Sequence, residues 1–428
     1  MQVSVESGEG LERRLTVELP AEQVEAEVNK RLQQIGRTAR LDGFRPGKVP
    51  MNILRRNYGG QVLQEVYGHL IETSYQEAIQ QQKLSPAGLP KIEPKEASEQ
   101  GLFGYVATLE VMPEITPAKL EGKITRPVAE ITEQDVDDMI EKLRKQRATW
   151  SVVERAAGEG DQVKISFKGM VDGEAFEGGS AENVPLVLGS KRMIEGFEDA
   201  LVGMIKEESR TVELKFPDEY RVEALAGKPV TFEVQVNEVA EETLPLVDEA
   251  FAKEFGAEAG VEKLRSDIRE NMQRELAQRV QAKIKGQAMD LIYDQNRIDL
   301  PKALVEEEID ALQKQTRERL GQGAGSLELP RDMFEEQARR RVTLGLVVGE
   351  IIRQNDIQLD NDRVRKTIDE FASSYEQPEE VVKYYYGNQQ QLAAVQNVVL
   401  EDQVVDWVLE QTEVIEEQTT FATLTSEG

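Results

Sequence analysis

The sequence predicts a multidomain α+β protein, because its apolar residues follow different periodicities in successive regions. An N-terminal region mixes strand and helix patterns, a middle region alternates apolar with polar positions, and the C-terminal region repeats apolar residues every four positions. At 428 residues the chain is long enough for about three domains. We expect four segments, which are residues 1–112, 113–150, 151–243 and 244–428.

The first segment is predicted to be an α+β domain. Short strands are expected at residues 3–5 and 15–19, followed by two helices that each carry one apolar face. Residues 103–111 alternate apolar with polar and predict a last strand, which Pro113 ends.

Residues 113–150 are predicted to be an extended linker that ends in a docking helix. Pro113, Pro117 and Pro127 keep the first part extended. A polar helix with apolar residues on one side then covers residues 132–150.

The third segment predicts an antiparallel sheet with one short helix. Three runs with a period of two, at residues 163–167, 212–216 and 230–236, supply the strands. Between them, residues 193–201 place apolar side chains at helical spacing, so this helix can pack on a sheet face.

The fourth segment is predicted to be all-helical after Pro245. Residues 321–326 are rich in Gly and predict the tip of an arm-like helical hairpin. The apolar runs at residues 345–349 and 384–386 are denser than one buried face requires, so some of this surface is expected to be open. Residues 419–428 are predicted to be a disordered tail.

Composition excludes several classes of chemistry. The chain has no cysteine and one histidine, His69, which excludes disulfides, thiolate metal sites, cysteine nucleophiles and a His-rich metal site. No phosphate-binding loop of the G-x-x-x-x-G-K-[ST] type is present, so we expect no nucleotide, metal or other cofactor. No apolar run is long enough for a membrane span, and we expect a cytoplasmic protein without membrane contact.

One loop is strongly basic within a chain whose net charge is -28. Residues 30–56 contain eight Lys or Arg and one acid, Asp42, so eight minus one leaves +7. Inside this stretch, residues 43–50 read Gly-Phe-Arg-Pro-Gly-Lys-Val-Pro, which predicts a turn that projects Phe44 and two cations into solvent. An exposed aromatic between cations suits a phosphate-rich surface, although Phe44 folded back on the core is the plainer interpretation.

This octapeptide resembles the ribosome-binding signature of the trigger factor family of bacterial chaperones, and chain length and segment order resemble that family throughout. The resemblance implies an ATP-independent chaperone that contacts ribosomal protein and rRNA near the exit tunnel. It also implies binding of nascent and unfolded polypeptides, a homodimer off the ribosome, and roles in protein export and cell division. The ribosome-binding residues it implies are Gly43, Phe44, Arg45, Pro46, Gly47 and Lys48.

The third segment concentrates aromatic side chains in a chain that is only 6% aromatic. The plain interpretation of any one of them is core packing. However, their order along the chain, with Asp172-Gly173 before Phe176, Gly196-Phe197-Glu198, and Phe216-Pro217 before Tyr220, resembles the FK506-binding-protein (FKBP) fold of prolyl isomerases.

The FKBP resemblance implies a proline pocket, with Glu177 as its acidic neighbour and the Ile194 N–H as a donor. The implied pocket residues are Phe167, Phe176, Glu177, Met193, Ile194, Phe197, Phe216, Tyr220 and Phe232. This chain has Phe197 where many members carry Trp, and a short segment after Tyr220 where they carry a longer flap. The resemblance therefore implies isomerase activity but does not imply affinity for drug-like ligands.

Two alternative functions stay open at this point. A pure prolyl isomerase with targeting domains would lose all function with its pocket. An RNA-binding or ribosome-assembly protein would use the basic loop on free RNA, with a steep salt dependence. The acidity of the rest of the chain makes the RNA-binding function the weaker of the two.

Overall fold

The computed structural model divides the chain into two compact units. Unit 1 comprises Met1–Arg126 and Gln281–Glu417, and unit 2 comprises Pro127–Val280 and Gln418–Gly428. The described residues are 1–41, 44, 47–95, 103–171, 173–220, 222, 225–320, 329–373, 375 and 377–426, and for Glu177 only the backbone is described. The predicted fold class, an α+β N-terminal region, an antiparallel sheet with one short helix and a helical C-terminal region, is confirmed.

The N-terminal part of unit 1 is a four-stranded antiparallel sheet with two helices. Its elements are β1 (Gln2–Ser7), β2 (Glu12–Leu19), α1 (Ala21–Thr38), α2 (Met51–Gln82), β3 (Lys91–Lys95) and β4 (Phe103–Glu110). The strand order is β1-β2-β4-β3. Apolar positions alternate along β2 and β4, so Leu15, Val17 and Tyr105 are buried together against α2.

The sheet of unit 2 wraps around one short helix. After β5 (Lys123–Val128) and α3 (Glu133–Gln146) come the elements β6 (Thr149–Val152), β7 (Gln162–Val171), β8 (Glu174–Val187), α4 (Phe197–Leu201), β9 (Ser209–Lys215) and β10 (Pro229–Thr243). The long strand β10 pairs antiparallel with β6, β7 and β9, and β7 pairs with β8. Phe197 and Leu201 of α4 are buried on the inner face of this sheet.

The remaining elements are helical apart from one strand. They are α5 (Glu249–Glu254), α6 (Val261–Gln295), α7 (Lys302–Leu320), α8 (Asp332–Gln354), α9 (Asn361–Ala372), α10 (Pro378–Gly387), α11 (Gln389–Gln411), β11 (Glu413–Gln418) and α12 (Phe421–Ser426). Helices α7 and α8 pack on each other through Val305, Ile309 and Phe334 and form the predicted hairpin. The predicted tip, residues 321–326, lies outside the described residues.

The predicted linker is more ordered than its prolines indicate. Its strand β5 pairs with β11. The Thr125 N–H donates to Gln287 Oε1 and the Gln287 amide donates to the Thr125 carbonyl, both at 2.8 Å. Gln295 pairs in the same two-way manner with the backbone of Glu121. Side-chain amides of α6 thus form hydrogen bonds with the N–H and C=O groups of the linker backbone, as a neighbouring strand would.

Three local predictions were wrong. The helix predicted at residues 132–150 ends at Gln146, and Thr149 and Trp150 lie in strand β6. The helix predicted at residues 193–201 begins only at Phe197, because Gly196 before it adopts a left-handed φ of +84°. The predicted disordered tail contains α12, since Phe421 is buried in a cluster with Val136 and Phe251. Two apolar residues are enough to dock a helix when a formed cluster accepts them, and that cluster is distant in sequence.

Candidate functional sites

The described pocket residues come from six different parts of unit 2. Phe167 is on β7, Phe176 on β8, Phe197 on α4 and Phe232 on β10. Loops supply the other described members, which are Met193, Ile194, Phe216 and Tyr220. All eight belong to one apolar cluster, so the fold brings them together; the side chain of Glu177 lies outside the description.

Phe232 is at the centre of this aromatic group. Its ring lies edge-to-face against Phe197 at 5.2 Å between centroids, against Phe167 at 6.0 Å and against Phe176 at 6.5 Å. Phe216 in turn contacts Phe176. Edge-to-face contacts of this kind fix ring orientations, so the apolar walls have a defined shape.

Burial separates a floor from a rim. Phe197, Phe216 and Phe232 are buried and form the floor. The other five described members are half-buried and form the rim, and these are Phe167, Phe176, Met193, Ile194 and Tyr220. A half-buried apolar rim above a buried aromatic floor suits a ligand such as a prolyl ring.

Two strand glycines position the Phe176 ring. A Cβ on Gly169 would lie 2.6 Å from the Phe232 ring and 2.9 Å from the Phe176 ring. A Cβ on Gly179 would lie 2.8 Å from the Phe176 ring. Any larger residue at either position must displace an aromatic wall.

Glu198 holds the loop that presents Met193 and Ile194. Its buried carboxylate accepts the backbone N–H groups of Lys191 at 3.0 Å, Arg192 at 2.8 Å and Met193 at 3.2 Å, and the Ser190 hydroxyl at 3.2 Å. Burial raises the pKa of this carboxyl, but the three N–H donors outweigh burial, so the pKa lies below its ordinary value.

The Ile194 N–H is the next donor along this loop, and it has no hydrogen-bond partner among the described residues. The Ile194 carbonyl, by contrast, accepts the Phe197 N–H at 3.1 Å. The backbone at Ile194 is therefore fixed on one side and free to donate on the other.

A second carboxylate fixes the loop before β7. Asp161 is buried and accepts both arms of the Arg155 guanidinium at 2.5 and 2.9 Å, together with the Gly158 N–H at 2.7 Å. The hydrogen bond from Arg155 holds the pKa of Asp161 below its ordinary value against the opposing effect of burial.

The basic loop connects α1 to α2 in unit 1. Leu41 and Val49 pack on the core between the two helices, while Phe44 is 39% exposed and Lys48 is exposed. The Phe44 N–H donates to the Leu41 carbonyl at 3.0 Å, and Gly47 has a φ of +79°. Gly43, Arg45 and Pro46 lie outside the described residues.

The cations around this loop form two groups. Lys30, Arg31 and Arg55 form ion pairs with Glu27, Glu65 and Glu25. The others form no ion pair with any described residue, and these are Arg37, Arg40, Lys48 and Arg56. The unpaired group borders the loop in sequence and leaves positive charge available to an anionic partner.

Three family models together match most of the chain. The bacterial trigger factor protein model matches residues 1–143, the FKBP-type peptidyl-prolyl cis-trans isomerase model residues 153–237, and the trigger factor C-terminus model residues 260–410. The trigger factor of Pseudomonas paraeruginosa is 48% identical over 423 residues, which is 98% of this chain and 97% of that protein. The chain belongs to the trigger factor family. The trigger factor of Pseudomonas fluorescens is 49% identical over the same shares of both chains.

A solved trigger factor structure aligns with 96% of this chain and 99% of its own, at 20% identity and a TM-score of 0.49. An alignment at that score supports no argument about domain arrangement. The family models and the identity above are sufficient for assignment to the trigger factor family.

Membership of the trigger factor family confirms the function that the sequence predicted. The chain is a ribosome-associated chaperone with an FKBP-type peptidyl-prolyl isomerase domain, and family membership implies binding of ribosomes and of unfolded polypeptides. Among the described helices, none combines the length and apolar character of a membrane span.

The two dense apolar runs of the helical region differ in burial. Val347 and Val348 of α8 are buried core residues. Tyr384 and Tyr386 of α10 are instead 57% and 45% exposed. Phe371 of α9 and Tyr375, which follows it, are also exposed, and these four exposed aromatic residues are here together called the α9–α10 surface.

Sequence reasoning missed the residues that position the pocket. Glu198 and Gly179 lie in the segments that resemble the FKBP fold, but the resemblance gives neither of them a role, and Gly169 lies outside those segments. An isolated Gly in a strand pattern is a known signal of close backbone approach and marks Gly169. No local signal shows that Glu198 accepts three N–H groups, because the loop conformation creates that site.

Proposed function

We propose that this chaperone docks beside the ribosomal exit tunnel through residues 43–48, holds emerging chains on exposed apolar surface, and isomerises Xaa-Pro bonds in the aromatic pocket. The observation that carries the proposal is the loop between α1 and α2, where Phe44 is exposed and Arg37, Arg40, Lys48 and Arg56 form no ion pair with any described residue. An exposed phenyl ring and free positive charge together fit a surface of phosphates with an apolar crevice.

Pocket geometry supports isomerisation without a nucleophile or cofactor. The barrier to rotation about a peptide bond is about 18–20 kcal/mol and arises from amide resonance. An apolar site favours the twisted amide, which has less charge separation than the planar form. The Ile194 N–H, which has no partner among the described residues, donates to a substrate carbonyl as the bond rotates. Each 1.36 kcal/mol removed from the barrier gives about a tenfold rate increase.

The α9–α10 surface is assigned to client holding. Four aromatic side chains that face solvent offer apolar area to an unfolded chain, and α10 has no buried residue. The strongly acidic surroundings keep such a surface soluble, because net charge opposes self-association.

The finer assignments rest on the family resemblance and stay proposals. They include the segment boundaries at residues 112, 150 and 243, a cytoplasmic location, a homodimer off the ribosome, and roles in export and cell division. The nine pocket residues and six loop residues predicted from sequence are proposed in these roles.

Co-sedimentation with ribosomes tests the docking loop. The test variant carries Phe44→Ala, Arg45→Ala and Lys48→Ala, and loses two positive charges. A control variant with Lys30→Ala and Arg31→Ala loses the same charge from positions that already have acidic partners. We expect the test variant to bind much more weakly, with a salt slope reduced by about two, and the control to keep most of its binding.

Equal binding of the wild type and the test variant would contradict the docking role. The isomerase-only function would then gain support. Binding of free RNA as tightly as ribosomes would instead favour the RNA-binding function.

A further inference from the structure

We infer that Glu198 is a positioning residue for prolyl isomerisation, which sets the donor geometry of the pocket by holding residues 190–193. The inference rests on the proposed pocket and deepens it. Among the described residues, no other side chain accepts the N–H groups of residues 191–193.

The carboxylate of Glu198 accepts four hydrogen bonds, one from each of four consecutive residues. Oε1 accepts the N–H groups of Arg192 and Met193 and the Ser190 hydroxyl, and Oε2 accepts the Lys191 N–H. Three successive backbone N–H groups therefore point at one side chain on the first turn of α4. The next N–H, that of Ile194, has no hydrogen-bond partner within the described part of the chain.

This arrangement links the floor of the pocket to its donor. Glu198 directly follows Phe197, whose ring forms part of the floor, and Phe197 N–H donates to the Ile194 carbonyl. A rigid four-residue connection thus fixes the Ile194 N–H relative to the Phe197 ring. Hydrogen bonds to an ionised acceptor are roughly twice as strong as neutral ones, which suits a positioning role.

Among the described residues, only uncharged donors, three backbone N–H groups and the Ser190 hydroxyl, form hydrogen bonds with the Glu198 carboxylate. No ionisable side chain among the described residues forms a hydrogen bond or ion pair with it. The nearest charged residues in sequence are all exposed, and these are Lys191, Arg192, Glu195 and Asp199. Replacing the carboxylate by an amide would turn one acceptor oxygen into a donor that faces other donors.

The test compares full-length Glu198→Gln with Asp199→Asn. Asp199 lies on the same turn of α4, is exposed, and its side chain forms no hydrogen bond or ion pair with any described residue, so both variants lose one negative charge near the helix start. We expect Glu198→Gln to lower kcat/KM on an Ala-Xaa-Pro-Phe peptide by about tenfold or more, since small misplacement of a positioned group can cost up to about 100-fold. Asp199→Asn should stay within about twofold of the wild type.

Amide NMR provides the readout that a general loss of stability would not produce. In the wild type the N–H signals of Lys191, Arg192 and Met193 should shift together on acidification, with a midpoint below the ordinary carboxyl value of 4.5. In Glu198→Gln that titration should disappear while distant amide signals stay unchanged.

The inference is overturned if Glu198→Gln loses the titration but keeps wild-type turnover, or if Asp199→Asn loses as much turnover. Should Glu198→Gln fail to fold, Ser190→Ala removes one donor and leaves the carboxylate with its three N–H partners. Unchanged turnover and unchanged amide signals in Ser190→Ala then overturn it. A wrong pocket assignment can be distinguished from a wrong role of Glu198, because only a wrong pocket assignment would let Phe232→Leu keep full turnover.

Discussion

Aromatic side chains in the isomerase pocket pack against one another, whereas those of the α9–α10 surface face solvent. Phe232 contacts three other rings and is 5% exposed, while Tyr375 is 62% exposed. The only ring contacts of α10 are those of Tyr385, with Phe371 at 6.3 Å and Tyr384 at 6.0 Å, among the described residues.

This difference in ring packing matches the different requirements of isomerisation and of holding unfolded chains. Isomerisation needs a fixed site, because the donor and the apolar walls must match one twisted amide. Holding unfolded chains needs accessible apolar area that accepts many sequences. A fixed geometry would limit the range of sequences that can bind. The two clusters therefore predict that each activity can be removed without the other.

The largest effect is expected from Phe232→Leu. Loss of the central ring removes the contacts that orient Phe167, Phe176 and Phe197, so kcat/KM on an Xaa-Pro peptide should fall about 100-fold. Phe255→Leu makes the same change in unit 2 outside the pocket, where Phe255 packs on Phe251, and should keep turnover. If a folded Phe232→Leu protein keeps kcat/KM within about twofold of the wild type, the aromatic pocket is not the isomerase site.

A smaller loss of isomerase activity is expected from Gly179→Ala. The added methyl would lie 2.8 Å from the Phe176 ring and must displace it, so we expect about a tenfold lower kcat/KM. Gly349→Ala adds the same methyl where nothing lies within 4 Å and serves as the control. Equal activity of both variants would show that Phe176 does not need its present orientation.

The sequence could predict which aromatic residues belong to one region of unit 2, but it could not predict their contacts. The order of Phe176, Phe197 and Phe216 identified the FKBP fold, because each sits beside a distinctive Gly or Pro. The contacts of Glu198 and Gly179 depend on a loop and on a neighbouring ring that only the folded chain brings close. Local periodicity carries no such information.

Exposure in the helical region was equally hard to predict. The runs at residues 345–349 and 384–386 are similarly apolar, yet the first holds the buried core of α8 and the second is open. Which helices pack on a given face decides this outcome. The same cause explains why α12 was predicted to be a disordered tail.

A variant with Tyr375→Ser, Tyr384→Ser and Tyr386→Ser tests the other side of the comparison. It should suppress aggregation of an unfolded client about two- to threefold less well, because it removes exposed apolar area. Its turnover on a short Xaa-Pro peptide should not change. Leu89→Ser, which removes an almost fully exposed apolar residue elsewhere in unit 1, should leave suppression intact. A similar loss in both variants would contradict a specific role for the α9–α10 surface.

The smallest effect concerns acid stability, and the two tryptophans allow each unit to be followed separately. Trp150 lies in unit 2 and Trp407 in unit 1, so Trp407→Phe leaves a reporter of unit 2 alone. The pKa of Asp161 is lowered on folding, so its stabilisation is complete above its ordinary value of 3.8 and is lost as pH falls through the folded value.

Thermal unfolding in this background should therefore show unit 2 losing stability on acidification, and Asp161→Asn should reduce that pH dependence. In the reverse background, Trp150→Phe, the transition of unit 1 should be the same with and without Asp161→Asn. A pH profile of unit 2 that Asp161→Asn leaves unchanged would show that this carboxylate does not stabilise the fold.

The most direct test of separate sites uses one client that both aggregates and refolds at a rate limited by Xaa-Pro isomerisation. Light scattering and refolding rate are recorded together for the wild type, Phe232→Leu and the triple Tyr→Ser variant. We predict that Phe232→Leu suppresses scattering as well as the wild type but no longer accelerates refolding. The triple Tyr→Ser variant should suppress scattering less well. If Phe232→Leu loses suppression and acceleration together while remaining folded, the two clusters form one functional site and the account is wrong.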